Sequence, residues 1–105
     1  MRDLETIGTM AELRAEIDTL DRAIVGQLAR RAAMIDRAVA LKPREGMQAR
    51  ITPRVEAVVA NVREAAGDAG LDPELAETVW RALIEWSIAR EEVELGASAP
   101  EGNAA

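Results

Sequence analysis

Apolar residues recur with helical spacing at Leu13, Ile17, Leu20 and Ile24, and the stripe drifts onward through Leu28, Ile35 and Val39 to Leu41. Thr9 is placed to cap this run and Glu12 to close a capping box, while Gly26 is its only weak helix former. Pro43 ends it, because the residue before a proline is pushed out of the α region. The spacing therefore predicts one helix over residues 10–41, about 48 Å long. A compact domain of ~100 residues has a radius of gyration near 13 Å. Such a helix outruns its own domain and needs foreign cover, and the simplest cover is a second copy of the chain. An intertwined homodimer is the expectation.

The rest of the chain reads as two shorter helices. Residues 42–52 form a polar, basic loop, Pro53 opens a second helix with Val55, Val58, Val59 and Val62 on one face, and Gly67 to Gly70 ends it. Asp72 and Pro73 supply a cap and a first-turn proline for a third helix. That helix carries Leu75, Val79, Ala82, Trp86, Ala89 and Val93 as one seam, beside a second stripe of Trp80, Ile84, Ser87 and Glu91. The expected fold is all-α, three helices per chain in a homodimeric bundle. Residues 1–9 are read as an arm, 10–95 as the helical domain and 96–105 as a disordered tail.

Composition narrows the chemistry. The chain of 105 residues has no Cys, His, Tyr or Phe. Disulfides, zinc fingers and Cys or His nucleophile/base catalysis are therefore excluded. Hydrophobic residues make up 49% but aromatic ones only 2%, so the core must be aliphatic. A net charge of -6 argues against a general nucleic-acid or anionic-membrane coat, and no apolar run approaches the ~18 residues of a membrane span. With no cleavable signal pattern at the start, a cytoplasmic protein is expected. The charge is segregated: residues 1–21 hold 2 basic and 6 acidic groups, residues 22–63 hold 9 and 3, and residues 64–105 hold 2 and 10. A basic middle between acidic flanks suits capture of a small anion, though neutralisation between helix faces would produce the same pattern.

Within that middle, Arg31 stands where the long helix should bury a hydrophobe, and a buried arginine needs a partner. Lys42 follows eleven residues later, three turns plus roughly 20° around the axis. Either the two cations converge on one anion, or Arg31 pairs with a carboxylate of another helix and Lys42 is solvated. Arg14 lies about 100° round the axis from Arg31 and ~25 Å away. It reaches such a pocket only from a two-fold partner; otherwise it pairs with Asp18 at i,i+4. Glu91 is either part of a solvated acidic helix end with Glu92 and Glu94 or a pocket residue. In a closed pocket burial would favour its neutral, hydrogen-donating form. Asp18 and Asp21 have i,i+3 spacing but no histidine to complete a di-iron set, and capping and surface pairing explain them without a metal.

The run Arg14-x-x-Ile17-Asp18-x-Leu20-Asp21-x-x-Ile24-Val25-x-x-Leu28-x-x-Arg31, followed by Lys42, resembles the first helix of the all-helical chorismate mutases. Gly70-Leu71-Asp72, Trp80, Ile84, Trp86, Ile88-Ala89 and Glu91 are similar to the isochorismate-pyruvate lyase branch, which makes salicylate. The resemblance implies intertwined homodimers with two shared active sites and no metal or cofactor. It implies that Arg31 and the partner's Arg14 clamp the two substrate carboxylates. Lys42 would bind near the ether oxygen, Ser87 would contact a carboxylate, and Glu91 would stand where many members have a glutamine. The pericyclic reaction then runs on conformer selection and preorganised charge.

Two positions depart from the family pattern. Thr52-Pro53, with Arg54 after it, replaces the Arg-Glu pair usual at the start of the second helix, a pair the lyase branch also lacks. An ionised Glu91 would repel a developing oxyanion, so it is expected to be protonated or neutralised by Lys42, with activity falling as pH rises. The expected function is conversion of chorismate to prephenate. The rivals are isochorismate-pyruvate lyase activity and a non-catalytic helical dimer used as a scaffold or regulator.

Overall fold

The computed structural model describes residues 3–100, and among them every regular element is helical. α1 spans Met10–Leu41, α2 spans Thr52–Ala69 and α3 spans Pro73–Leu95, with short 3₁₀ turns at Leu4–Thr6 and Pro43–Glu45. The chain divides into an N-terminal unit that ends at Met34 and a C-terminal unit that begins at Ile35, the boundary falling within α1.

In the N-terminal unit the cap is built as its sequence suggests. Thr9 Oγ1 accepts from the Glu12 backbone N–H, and the Glu12 carboxylate reaches back to accept from the Gly8 N–H. One donor left open at the helix start, the Glu12 N–H, is thereby satisfied, and the Glu12 carboxylate ties down Gly8, one residue outside the cap rather than at Thr9 itself. No residue of α1 is buried, and Ile17, Leu20, Ile24 and Val25 stand about half exposed or more. The stripe legible in the sequence is real, and within this unit it stays uncovered.

In the C-terminal unit α2 and α3 form an antiparallel hairpin across Gly70–Asp72. Gly70 takes the left-handed conformation at φ 76°, which ends α2, and Asp72 Oδ1 accepts from the Glu74 N–H to start α3. Ion pairs run down the seam in antiparallel order. Arg63 meets Glu74 and Glu77 near the turn, Arg81 meets Glu56 and Glu77 midway, and Arg50 meets Glu85 farther along. The core beneath is small and aliphatic: Ala49, Val59, Ile84 and Ile88, with Val55, Val58 and Leu95 packed against it.

Of the two stripes on α3, the one buried within the C-terminal unit contains Ile84, Ser87 and Glu91, together with Ile88. The cleaner apolar seam points away: Leu75, Val79, Trp86 and Val93 are 42–80% exposed. The short hairpin connection decides this, since it turns the Ile84–Ile88 side of α3 toward Val55 and Val59. The tail differs from its expected disorder as far as it is described, because Ser98 and Ala99 hydrogen-bond to Arg50 and Gln48. Residues 101–105 lie outside the described residues.

Candidate active site

Lys42 is the residue after the last turn of α1, its N–H still donating to the Ala38 carbonyl at 2.8 Å. Its own carbonyl accepts from Glu45 and Met47, folding the chain into a tight turn that Gly46, at φ 70°, makes possible. That turn sends the next residues back beside the lysine. Lys42 Nζ donates to the carbonyl of Ala49 at 2.7 Å and lies 2.9 Å from Glu91 Oε1. The two charged partners stand 49 positions apart in sequence.

Glu91 is only 3% exposed, and Lys42 retains 19% of its side-chain surface. A carboxylate so enclosed needs a compensating charge, and the ammonium supplies it. Oε1 nevertheless accepts no aligned hydrogen bond among the described residues. The contact is an ion pair, and the lysine also donates to the Ala49 carbonyl. Ser87 lies one turn before Glu91, buried, its hydroxyl donating to the Leu83 carbonyl at 2.8 Å. Buried Ser87 and Glu91 on one face of α3, with Lys42 closing over Glu91, make a polar island beside the aliphatic core.

The structure thus brings Lys42 and Glu91 together, with Ser87 on the adjoining turn. Solvated readings of Lys42 and Glu91 do not survive this geometry. Arg31 and Arg14 belong to the N-terminal unit, Arg31 half-buried on α1 and Arg14 exposed on it. Asp18 and Asp21 are exposed on α1, and no group of three metal-ligating side chains occurs among the described residues. Arg54, beside the position of the missing Arg-Glu pair, is exposed on the first turn of α2.

Sequence reasoning missed the Ala49 carbonyl, which carries no side-chain signal. It also missed a cluster at the end of α1. Arg90 pairs with Asp36, Nη2 to Oδ2 at 3.0 Å, and its guanidinium lies 5.5 Å from the centroid of the Trp86 ring. Hydrogen bonds from Arg90 hold the Asp36 carboxyl below its ordinary range. The only hint was a tryptophan four residues before an arginine.

Residues 13–92, most of the chain, match the model of the chorismate mutase type II family. The chain belongs to that family. Type II chorismate mutases are enzymes, and the all-helical architecture agrees with membership. No curated protein matches the chain. No helix among the described residues is long and apolar enough to cross a membrane. The family match runs to residue 92, so Lys42, Ser87 and Glu91 all lie within the matched residues, whereas the segment after Gly96 lies beyond them.

Proposed function

We propose that the chain converts chorismate to prephenate, as a homodimer with two shared sites. In that rearrangement one ether C–O bond breaks as one C–C bond forms, and no proton or electron leaves the substrate. No nucleophile is required, which suits a chain without Cys, His or Tyr. What the protein must supply is a compact substrate conformer and positive charge at the ether oxygen.

The buried Lys42–Glu91 pair carries this reading. Its ammonium is held by a carbonyl and a carboxylate, ready to face an oxygen that becomes electron-rich as the bond breaks. The pair is neutral, so it cannot by itself hold a doubly charged substrate. Arg31 and the partner's Arg14 are assigned the two substrate carboxylates, and Ser87 a further carboxylate contact. The exposed apolar faces of α1 and α3 support the dimer that such sharing needs.

The lyase reaction on isochorismate is the second reading, favoured by Thr52-Pro53 at the start of α2. Incubating the purified protein with each substrate decides between them. Prephenate from chorismate is the expected result, and salicylate with pyruvate from isochorismate would instead assign the lyase. Arg31→Ala is expected to lower kcat/KM by roughly 100-fold or more while leaving the dimer intact. If neither substrate reacts, the scaffold reading takes its place.

A further inference from the structure

The loop that holds Lys42 is itself held from outside the family-matched domain. Ala49, whose carbonyl receives the Lys42 ammonium, is 3% exposed with its methyl group in the core. Its two neighbours are tied to the segment after α3. The Arg50 N–H donates to Ser98 Oγ at 2.8 Å. Gln48 makes a two-sided amide pairing, accepting from the Ala99 N–H at 2.9 Å and donating to the Ala99 carbonyl at 3.0 Å. Gln48 also donates to the Arg50 carbonyl at 3.0 Å, closing a ring around Ala49. The segment is fastened in turn to α3, because the Ser98 N–H donates to Glu92 Oε2 at 2.8 Å, next to Glu91. Gly96, at φ 82°, reverses the chain so that this return is possible.

We propose that Ser98 and Gln48 are positioning residues of the active site: the post-α3 segment fixes the Ala49 carbonyl, and through it the Lys42 ammonium. This rests on the catalytic role given to Lys42 above. A lysine stem has four rotatable bonds, so an ammonium that must meet one oxygen gains from a carbonyl that cannot wander. Direct contact between Ser98 or Gln48 and substrate forms no part of the proposal.

Lys42 is the only lysine of the chain, which makes its side chain separately measurable. The experiment acetylates the intact, full-length protein with an amine-reactive ester and follows Lys42 by mass spectrometry. It compares wild type with Ser98→Ala, Gln48→Leu and the hydroxyl-retaining Ser98→Thr, each checked for helicity by circular dichroism. Labelling is expected to speed up roughly three- to tenfold in Ser98→Ala and Gln48→Leu, about the effect of one lost hydrogen bond, and to stay near wild type in Ser98→Thr. Turnover of chorismate should fall by a similar factor in kcat, with KM changed less. Adding Ser98→Ala to Lys42→Ala should leave the residual rate as it was. Unchanged labelling in both variants overturns the proposal, as does an equal kcat loss with and without Lys42. Faster labelling in a protein that does not turn over chorismate would retain the positioning and remove the catalytic reading instead.

Discussion

Lys42 and Glu91 stabilise the fold only as a pair. Removing the ammonium alone leaves a carboxylate enclosed with nothing to compensate it, whereas neutralising both ends leaves ordinary polar groups. Lys42→Ala is therefore expected to cost about 3 kcal/mol in chemical denaturation, and Lys42→Ala with Glu91→Gln to recover most of that. Activity should stay low in both, since the charge that serves the ether oxygen is gone from each. A double variant as unstable as the single one would show that lost packing, not the unpaired charge, is what matters. Glu91→Gln alone keeps the ammonium and a polar group at the same position, so it is expected to retain more kcat than Lys42→Ala. A Glu91→Gln enzyme as slow as Lys42→Ala would sink that expectation.

Helix ends were the most legible elements, because a cap is settled within four residues. Thr9 with Glu12, Asp72 with Pro73, and Gly70 sit at or beside the helix boundaries they announced. Asp72→Ala is expected to cost about 1 kcal/mol by denaturation, since one amide at the start of α3 loses its acceptor. Which face of α3 turns inward was less legible. Two stripes run along it, the more apolar of them is the one left outside, and local spacing does not say which neighbour a stripe will meet. The hairpin ranks them by bringing Val55 and Val59 against Ile84 and Ile88, leaving Trp86 and Val93 outside.

At the scale of the whole chain, acidic groups outnumber basic ones, and fixed partners keep several acids ionised to lower pH. Arg81 and Arg63 hold Glu77 below its ordinary range, Arg90 does the same for Asp36, and hydrogen bonds from Ser98 do so for Glu92. A carboxyl whose folded pKa is lowered contributes stability above its unfolded value, and that contribution fades as pH falls through the folded one. The melting temperature is therefore expected to drop on acidification below about pH 4.5, the ordinary carboxylate range. Glu92→Gln should shrink the drop, and an acid limb of the same size in wild type and variant would contradict the assignment. The uncovered stripe of α1 sets a further expectation: Ile24→Glu should abolish the proposed dimer, read as a halved mass by sedimentation.

What the amino-acid order settled by itself is local: three helices, their breaks at Pro43 and Gly70, an aliphatic core and a chemistry without nucleophilic cysteine or histidine. Each follows from periodicity, caps or composition, which act over a few residues. The partnership of Lys42 with Glu91, the choice of the Ala49 carbonyl and the return of Ser98 to Arg50 were decided only in three dimensions. They join groups up to 49 residues apart, and such contacts exist only once burial of Val59, Ile84 and Ile88 has set α2 against α3.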